Sequence, residues 1–366
     1  RRKAMPGGSP MRVLNCDVLV VGGGPAGSSA ARAAALAGAS VIVAERRRIV
    51  GRPVRCAEYI PAMLVGQANV GDEYIVQRTT GMRSFLHGRC IQDMSAPGCV
   101  IDREIFDQAL ARAAVSSGAR ILPGHAAVGR EGGAGGRVLL SAPNNATVGV
   151  SAKVVIGADG PVSRVARWLG LPRPHCLPSI QVRLPLLEPL EHTHIYFDES
   201  IRAGYAWVFP KGNVANVGLG MLSTPGTPGL RWALRRFVRG MAGLGLVADR
   251  PLGLTGGWIP AGSPRPCVYG DTVLAGDAAG HTHPITGAGI FQAVVGGEMA
   301  GRWAAKAVLE GDLALLLGYE EEWADFYGDA LSHAHQRRLL WEAHTGSLDK
   351  AINRFWIGFR EYYAAS

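Results

Sequence analysis

The chain has 366 residues and a formal net charge of +9 at pH 7. Hydrophobic residues make up 48% and charged residues 18%, which excludes disordered, collagen-like and fibrous classes and admits one large core or two closely packed lobes. Its six cysteines (Cys16, Cys56, Cys90, Cys99, Cys176, Cys267) form no CxxC pair and show no metal-ligand spacing, so no metal is expected and reduced thiols in a cytoplasmic setting are the default.

Residues 1–10 read as a flexible leader, with Met11 as a start. Residues 17–45, DVLVVGGGPAGSSAARAAALAGASVIVAE, predict a strand, a glycine turn, a helix of small residues and a second strand. Gly22 allows the tight turn, Gly24 lets backbone approach a pyrophosphate, and Gly27 lets helix and strand pack closely. Pro25 and Ala26 open the helix, whose free N–H groups and dipole would face phosphates. Glu45 follows Gly27 by 18 residues, where a carboxylate meets a ribose 2′-hydroxyl and repels a 2′-phosphate. The strand, helix and acid around this GxGxxG argue for a bound dinucleotide and against a signal peptide.

Arg46 to Arg48 follow directly, suited to an adenine edge or phosphate as well as to a solvated face. GRPVRCAEYIPAML then runs from Gly51 to Leu64 and carries Arg55 and Cys56. Residues 102–117 predict a helix with Asp102 as N-cap, closed by Gly118. Residues 119–155 predict short strands broken at 132–136 and 143–145. KVVIGADG (153–160) predicts a buried strand whose turn sets Asp159 and Gly160 beside the first glycine loop. Residues 176–222 alternate with period two, which predicts an antiparallel second lobe. A helix is expected over 229–247. TVLAGDAAGHTHPITGAGIF (272–291) predicts a strand, a turn and a helix running to about Leu309. Residues 313–345 are expected to be helical, and 348–363 to form a helix with an aromatic stripe.

Three distant glycine motifs, GxGxxG at 22–27, GADGxxS at 157–163 and GDAAG…PxxGxG at 276–289, resemble the FAD-binding set of the aromatic-hydroxylase and geranylgeranyl-reductase superfamily. The resemblance covers about residues 15–310. It implies FAD as cofactor, with Arg103, Gly276, Asp277, Pro284, Gly287, Ala288 and Gly289 in its site, Asp277 at the ribityl or pyrophosphate part, and the helix after Gly289 aimed at the flavin's pyrimidine edge. VRCAEYI (54–60) resembles the V-R-C-G-E segment of archaeal geranylgeranyl reductases, with Ala57 replacing the usual Gly. GYAWVFPKG (204–212) and NVGLG (216–220) resemble that family's YxWxFP region, which implies that Tyr205 and Trp207 line a cavity above the flavin.

The fold expected is therefore α/β: a Rossmann-like FAD lobe (11–175 and 262–310), an antiparallel-sheet substrate lobe (176–261) and a helical C-terminal tail (311–366). Candidate catalytic residues are Cys56, Tyr205, Trp207, His281 and His283. Each has a bland counterpart: a buried small thiol, core aromatics, structural turn histidines. Two chemistries share these motifs. One is a reductase that gives a hydride from reduced FAD to the double bond of an apolar, prenyl-type substrate. The other is a monooxygenase that hydroxylates an aromatic ring, including a tryptophan side chain of a peptide in quinone cofactor biogenesis. A third reading is an assembly module with purely structural FAD. No second GxGxxG follows a strand, so NAD(P)H would bind transiently or a protein donor would supply electrons. No nucleic acid is expected as a partner. The positive charge leaves peripheral membrane contact open, and no run of roughly 18 strongly apolar residues requires a bilayer span.

Overall fold

The computed structural model describes residues 11–133, 135–224 and 229–363; the expected leader at 1–10 lies outside them. In chain order the elements are β1 (Arg12–Val21), α1 (Pro25–Leu36), β2 (Val41–Glu45), β3 (Tyr59–Pro61), α2 (Met63–Ala68), β4 (Ile75–Leu86), β5 (Arg89–Ile101), α3 (Arg103–Ser116), β6 (Arg120–Pro123), β7 (Ala126–Glu131), β8 (Arg137–Ser141) and β9 (Thr147–Gly157). There follow α4 (Arg164–Trp168), β10 (Cys176–Pro185), β11 (His192–Phe197), β12 (Tyr205–Lys211), β13 (Val214–Gly220), α5 (Leu230–Gly243), β14 (Gly253–Pro260), β15 (Val268–Tyr269), β16 (Thr272–Leu274), α6 (Ile290–Glu310), α7 (Leu317–Trp323), α8 (Asp329–Ala343) and α9 (Leu348–Phe355).

Among the described residues the strands build two sheets. The first has the order β15-β16-β9-β1-β2-β6, with β16, β9, β1, β2 and β6 parallel and β8 and β7 added beside β9. Parallel strands are covered on both faces, and β1 and β2 end in fully buried runs, Val18–Val21 and Val41–Glu45. Helix α6 lies directly on α1 because glycines remove the side chains between them. A Cβ on Gly297 would stand 2.2 Å from the carbonyl oxygen of Ala26, and one on Gly301 2.1 Å from that of Ala30.

The second sheet runs β14-β10-β13-β12-β11-β4-β5-β3, antiparallel except where β11 meets β4. Side chains on β12 alternate between its faces. Ala206 and Val208 join the core under α5, whereas Trp207 and Phe209 join the core under the tail.

Two expectations are corrected. The boundary at residue 175 does not separate the sheets, because β3, β4 and β5 belong to the second. β4 and β5 form a hairpin through His87 and Gly88, both at positive φ (50° and 76°), and its far strand pairs with β11 from the other side of the chain. The tail is not one helix either: α9 ends at Phe355, where Trp356 takes extended backbone and buries its indole against Phe197 and Tyr205, with centroids 5.2 Å away in each case. No helix among the described residues is long and apolar enough to cross a membrane.

Candidate active site

The glycine loop after β1 is shaped by backbone contacts. Gly22 sits at φ 104°, donates to the carbonyl of Ala44 at 2.9 Å, and touches the Ala158–Asp159 turn so closely that a Cβ would meet the Ala158 oxygen at 2.3 Å. A Cβ on Gly27 would lie 1.9 Å from the Gly22 oxygen, which ties helix α1 to the loop. Gly24 is the exception: nothing stands within 4 Å of its virtual Cβ, so open space lies where the expected pyrophosphate would approach.

Two helix starts meet at the same place. Helix α3 is capped by the Asp102 carboxylate, whereas, as α5 and α8 also do elsewhere, α1 and α6 start at Gly24 and Gly289 with no side-chain cap. Their first N–H groups remain for an anionic ligand, and both helices converge on Ala26, which a Cβ on Gly276 would meet at 2.9 Å. Glu45 ends β2 with both carboxylate oxygens engaged by backbone, from Gly23 at 2.7 Å and Arg47 at 2.8 Å. Asp277 is held by the Thr282 hydroxyl at 2.7 Å, and burial pushes its carboxyl up. These features fit an adenine–flavin dinucleotide stretched from Glu45, past Gly24, to Asp277 and Gly289.

Several expected residues take different parts. Asp159 lies beside the glycine loop, but its carboxylate caps α4 through the Ser163 hydroxyl (2.5 Å) and the Arg164 amide (2.6 Å), leaving backbone and Gly160 (φ 83°) toward the loop. Arg46 and Arg55 are exposed, whereas Arg47 is half-buried and donates to the Pro53 carbonyl at 3.3 Å. Arg103 opens α3 and pairs through two nitrogens with Asp107 at 2.9 and 3.1 Å, and its charge also faces Cys56 and Asp277.

The segment 56–58 is anchored to the second sheet at two of its carbonyls and closed by a hydrogen bond of its own. Gln181 donates to the Cys56 carbonyl at 3.1 Å, Asn216 to the Ala57 carbonyl at 3.1 Å, and the Glu58 amide to the Cys56 sulfur at 3.2 Å. Glu58, at φ 71° and wholly buried, receives Lys211 (2.9 Å to each oxygen), Asn216 (2.9 Å) and the Arg103 amide (3.0 Å). Burial pushes the Cys56 thiol up, with Arg103 opposing it, so the thiol keeps its proton at neutral pH.

Trp207 and Tyr205 do face this segment. The Trp207 indole lies across Gly218, where a Cβ would come within 2.5 Å of the ring, and donates to Gln181 at 2.9 Å. Tyr205 donates to the Thr286 carbonyl, its ring edge on Trp207 at 6.0 Å. The 283–289 turn, with Pro284, Gly287 (φ 68°) and Ala288, is held from behind by Arg338 of α8, which donates to the carbonyls of Pro284 (2.9 Å), Ile285 (3.4 Å) and Ala203.

The two histidines are engaged by the protein's own groups. His281 is fully buried, stacked 4.0 Å on Trp323 with Cys267 sulfur 3.4 Å away, and burial pushes it down to about 3. His283 accepts from the amides of Ile285 and Thr286 at 3.3 Å and is pushed down to about 4 by burial and by Arg338. Both imidazoles are therefore neutral at pH 7. Glu58, Lys211, Asn216 and Arg338 were not singled out as site residues in the sequence; only the alternation that sets Lys211 on the Trp207 face could have pointed to any of them.

Residues 15–182 match the FAD binding domain family, and residues 180–245 match the geranylgeranyl reductase catalytic domain. A digeranylgeranylglycerophospholipid reductase from Methanothrix thermoacetophila is 34% identical over 338 residues, covering 87% of this chain and 85% of its own. One from Methanocaldococcus jannaschii is 33% identical, covering 93% and 90%. A solved geranylgeranyl bacteriochlorophyll reductase-like protein from Thermoplasma acidophilum superposes with a TM-score of 0.79 at 28% identity, over 94% of this chain and 97% of that one. A p-nitrophenol 4-monooxygenase from Pseudomonas putida, 18% identical with a TM-score of 0.71 over 93% and 92%, shares the fold. A cradle for FAD, a substrate sheet of matching sequence and relatives alike along most of their length agree: the chain belongs to the geranylgeranyl reductase family of FAD-dependent oxidoreductases.

Proposed function

We propose that this protein reduces carbon–carbon double bonds in the prenyl chains of a glycerophospholipid. The reading is carried by the likeness to proteins named digeranylgeranylglycerophospholipid reductase, at 33–36% identity through both the FAD lobe and the substrate sheet. The aromatic face of Tyr205, Trp207, Phe209 and Trp356 supports it, since such a wall suits an apolar chain.

FAD, when bound and reduced, would supply the hydride-donor chemistry that the reaction needs. The chain's own groups do the rest. Tyr205 and Trp207 hold the bond against the 283–289 turn, while Trp356 and Tyr362 behind them keep water out. The Cys56 thiol, kept protonated by burial, gives its proton from Sγ to one carbon of the double bond. Arg103 stabilises the thiolate until water returns the proton. Two hydrogens are thereby added across the bond, and two electrons come from NAD(P)H or a reduced protein donor.

Aromatic hydroxylation is not favoured: the monooxygenases among the solved structures are 18–21% identical and share the fold alone. Anaerobic turnover with chemically reduced protein and an unsaturated archaeal-type ether phospholipid tests the reading. Mass spectrometry should show two added hydrogens per reduced bond, without substrate-dependent oxygen uptake in air. An added oxygen atom, or oxygen consumed in step with product, overturns it.

A further inference from the structure

The outer face of the second sheet carries a surface that the redox site does not use. Helix α5, LRWALRRFVRGMAG, buries Ala233, Leu234, Val238 and Met241 against β10 and β13. Its other face exposes Arg231, Arg235, Arg236 and Arg239, with no acidic residue in the helix. Trp232 is 51% exposed, with the Arg236 guanidinium 5.8 Å from its ring centroid; Arg236 also meets Asp198 at 3.5 Å.

Beside this helix, edge strand β14 is apolar toward solvent. Leu254 pairs with Val182 and Trp258 with Pro178, while Gly256 between them pairs with Ile180. Directly paired residues share a face, so Leu254 and Trp258 lie on the α5 side together with Val182 and Ile180 of the core beneath α5. They are 59% and 55% exposed, and Leu252 is 54% exposed. The helix begins after β13 ends at Gly220, which pairs with Ser179, and its far end returns to Leu187, whose amide meets the Leu246 carbonyl. Trp232 and Trp258 therefore stand at the same end of the sheet.

Exposed tryptophans and leucines beside a row of arginines are the pattern of a protein face that rests in a lipid headgroup layer. The opposite face of β14 packs on the active-site segment: Thr255 donates to the Val54 carbonyl at 2.9 Å, and a Cβ on Gly257 would stand 3.8 Å from that of Arg55. One strand thus separates the surface from the Cys56 loop.

We propose that α5 and the solvent face of β14 dock on an anionic lipid bilayer, presenting a membrane-held substrate to the edge of the substrate sheet. The proposal rests on the prenyl-lipid reading for its purpose, but its binding readout does not depend on turnover. The FAD-loaded protein is centrifuged with vesicles of phosphatidylcholine containing phosphatidylglycerol, and with phosphatidylcholine alone. Wild type should pellet with the anionic vesicles and be released by high salt, and W232S/W258S and R231Q/R235Q/R239Q should each weaken binding by tenfold or more. All variants should keep wild-type flavin content and melting temperature, and the same rate on a short prenyl diphosphate presented in solution.

No binding to anionic vesicles, or variants that bind as well as wild type, overturns the proposal. A concentration-dependent dimer that the same variants abolish also overturns it, in favour of a second copy of the chain on this face. Wild type that binds vesicles but reduces no prenyl substrate leaves docking standing and rejects the reductase reading.

Discussion

The Lys211 ammonium lies 2.9 Å from both carboxylate oxygens of Glu58, with both side chains buried, one on a strand of the substrate sheet and the other in the loop that carries Cys56. Removing one partner of such a pair strands the other's charge in low dielectric, at a cost of about 3–5 kcal/mol. K211M should lower the unfolding free energy read from urea titration by that order and loosen the Cys56 loop. E58Q, which leaves the Lys211 ammonium buried without its carboxylate, should cost about as much, and the double variant K211M/E58Q, with neither charge stranded, should cost less than the two losses added together. Additive losses in the double variant would show that the charge pair is not what holds the loop.

Gly24 and Gly27 should fail in different ways. A side chain at Gly27 meets the Gly22 oxygen at 1.9 Å, so G27A should destabilise the fold itself by about 2–4 kcal/mol. At Gly24 the space is open, so G24A should melt like wild type while binding FAD at least tenfold more weakly. Flavin retention after gel filtration, read beside thermal melting, separates the two.

Cys56 should alkylate slowly. Because burial raises the thiol's pKa, iodoacetamide labelling should stay slow at pH 9, where an ordinary cysteine is largely ionised, and accelerate only above it. C56A should retain FAD and accept electrons normally while its reductase turnover falls by about 10²-fold or more, the scale of a lost general acid. Unchanged turnover would assign the proton to water.

Acid should weaken the fold through the two turn histidines. Folded pKa values of about 3 for His281 and about 4 for His283 lie below the ordinary 6.5. As pH falls below 6.5 the unfolded chain takes up protons that the folded chain refuses. Each histidine then removes about 1.4 kcal/mol of stability per pH unit, down to its folded pKa. Urea midpoints measured from pH 7 to pH 4 should fall, and H283Q should flatten the slope; a slope unaffected by that change would place the acid sensitivity elsewhere.

Arg338 should matter to flavin binding without touching the glycine loops. R338M removes three donors from the carbonyls of Ala203, Pro284 and Ile285, so the 283–289 turn should lose its brace. The expected result is FAD dissociation at least tenfold faster than wild type, followed by flavin fluorescence, with helix content unchanged.

The nucleotide cradle was legible because its signals are local. Gly22, Gly24, Gly27 and Glu45 encode turn, approach and ribose distance within one βαβ unit, and the period-two pattern of 176–222 announced four of the eight strands of the second sheet, β10 to β13. What stayed hidden depends on pairings across long stretches of chain. Glu58 meets Lys211 across 153 residues, and β4 finds β11 across more than a hundred, so neither leaves a trace in its own neighbourhood. His281 and His283 sit two apart in a turn where either could face the substrate; only the packing of Trp323 and the amides of Ile285 and Thr286 shows where they point. Arg338 lay unremarked in the helical stretch 313–345 because the carbonyls it serves come from two other segments.

The interleaving of the sheets reaches back to the birth of the chain. The parallel sheet takes in residue 12 and is not closed until residues 272–274 join it, while the other sheet waits from residue 59 until residues 253–260 arrive. A nascent chain therefore exposes unpaired strand edges of both sheets through most of its synthesis. It cannot mature lobe by lobe as it leaves the ribosome, and dividing the chain near residue 175 should yield two fragments that are insoluble apart.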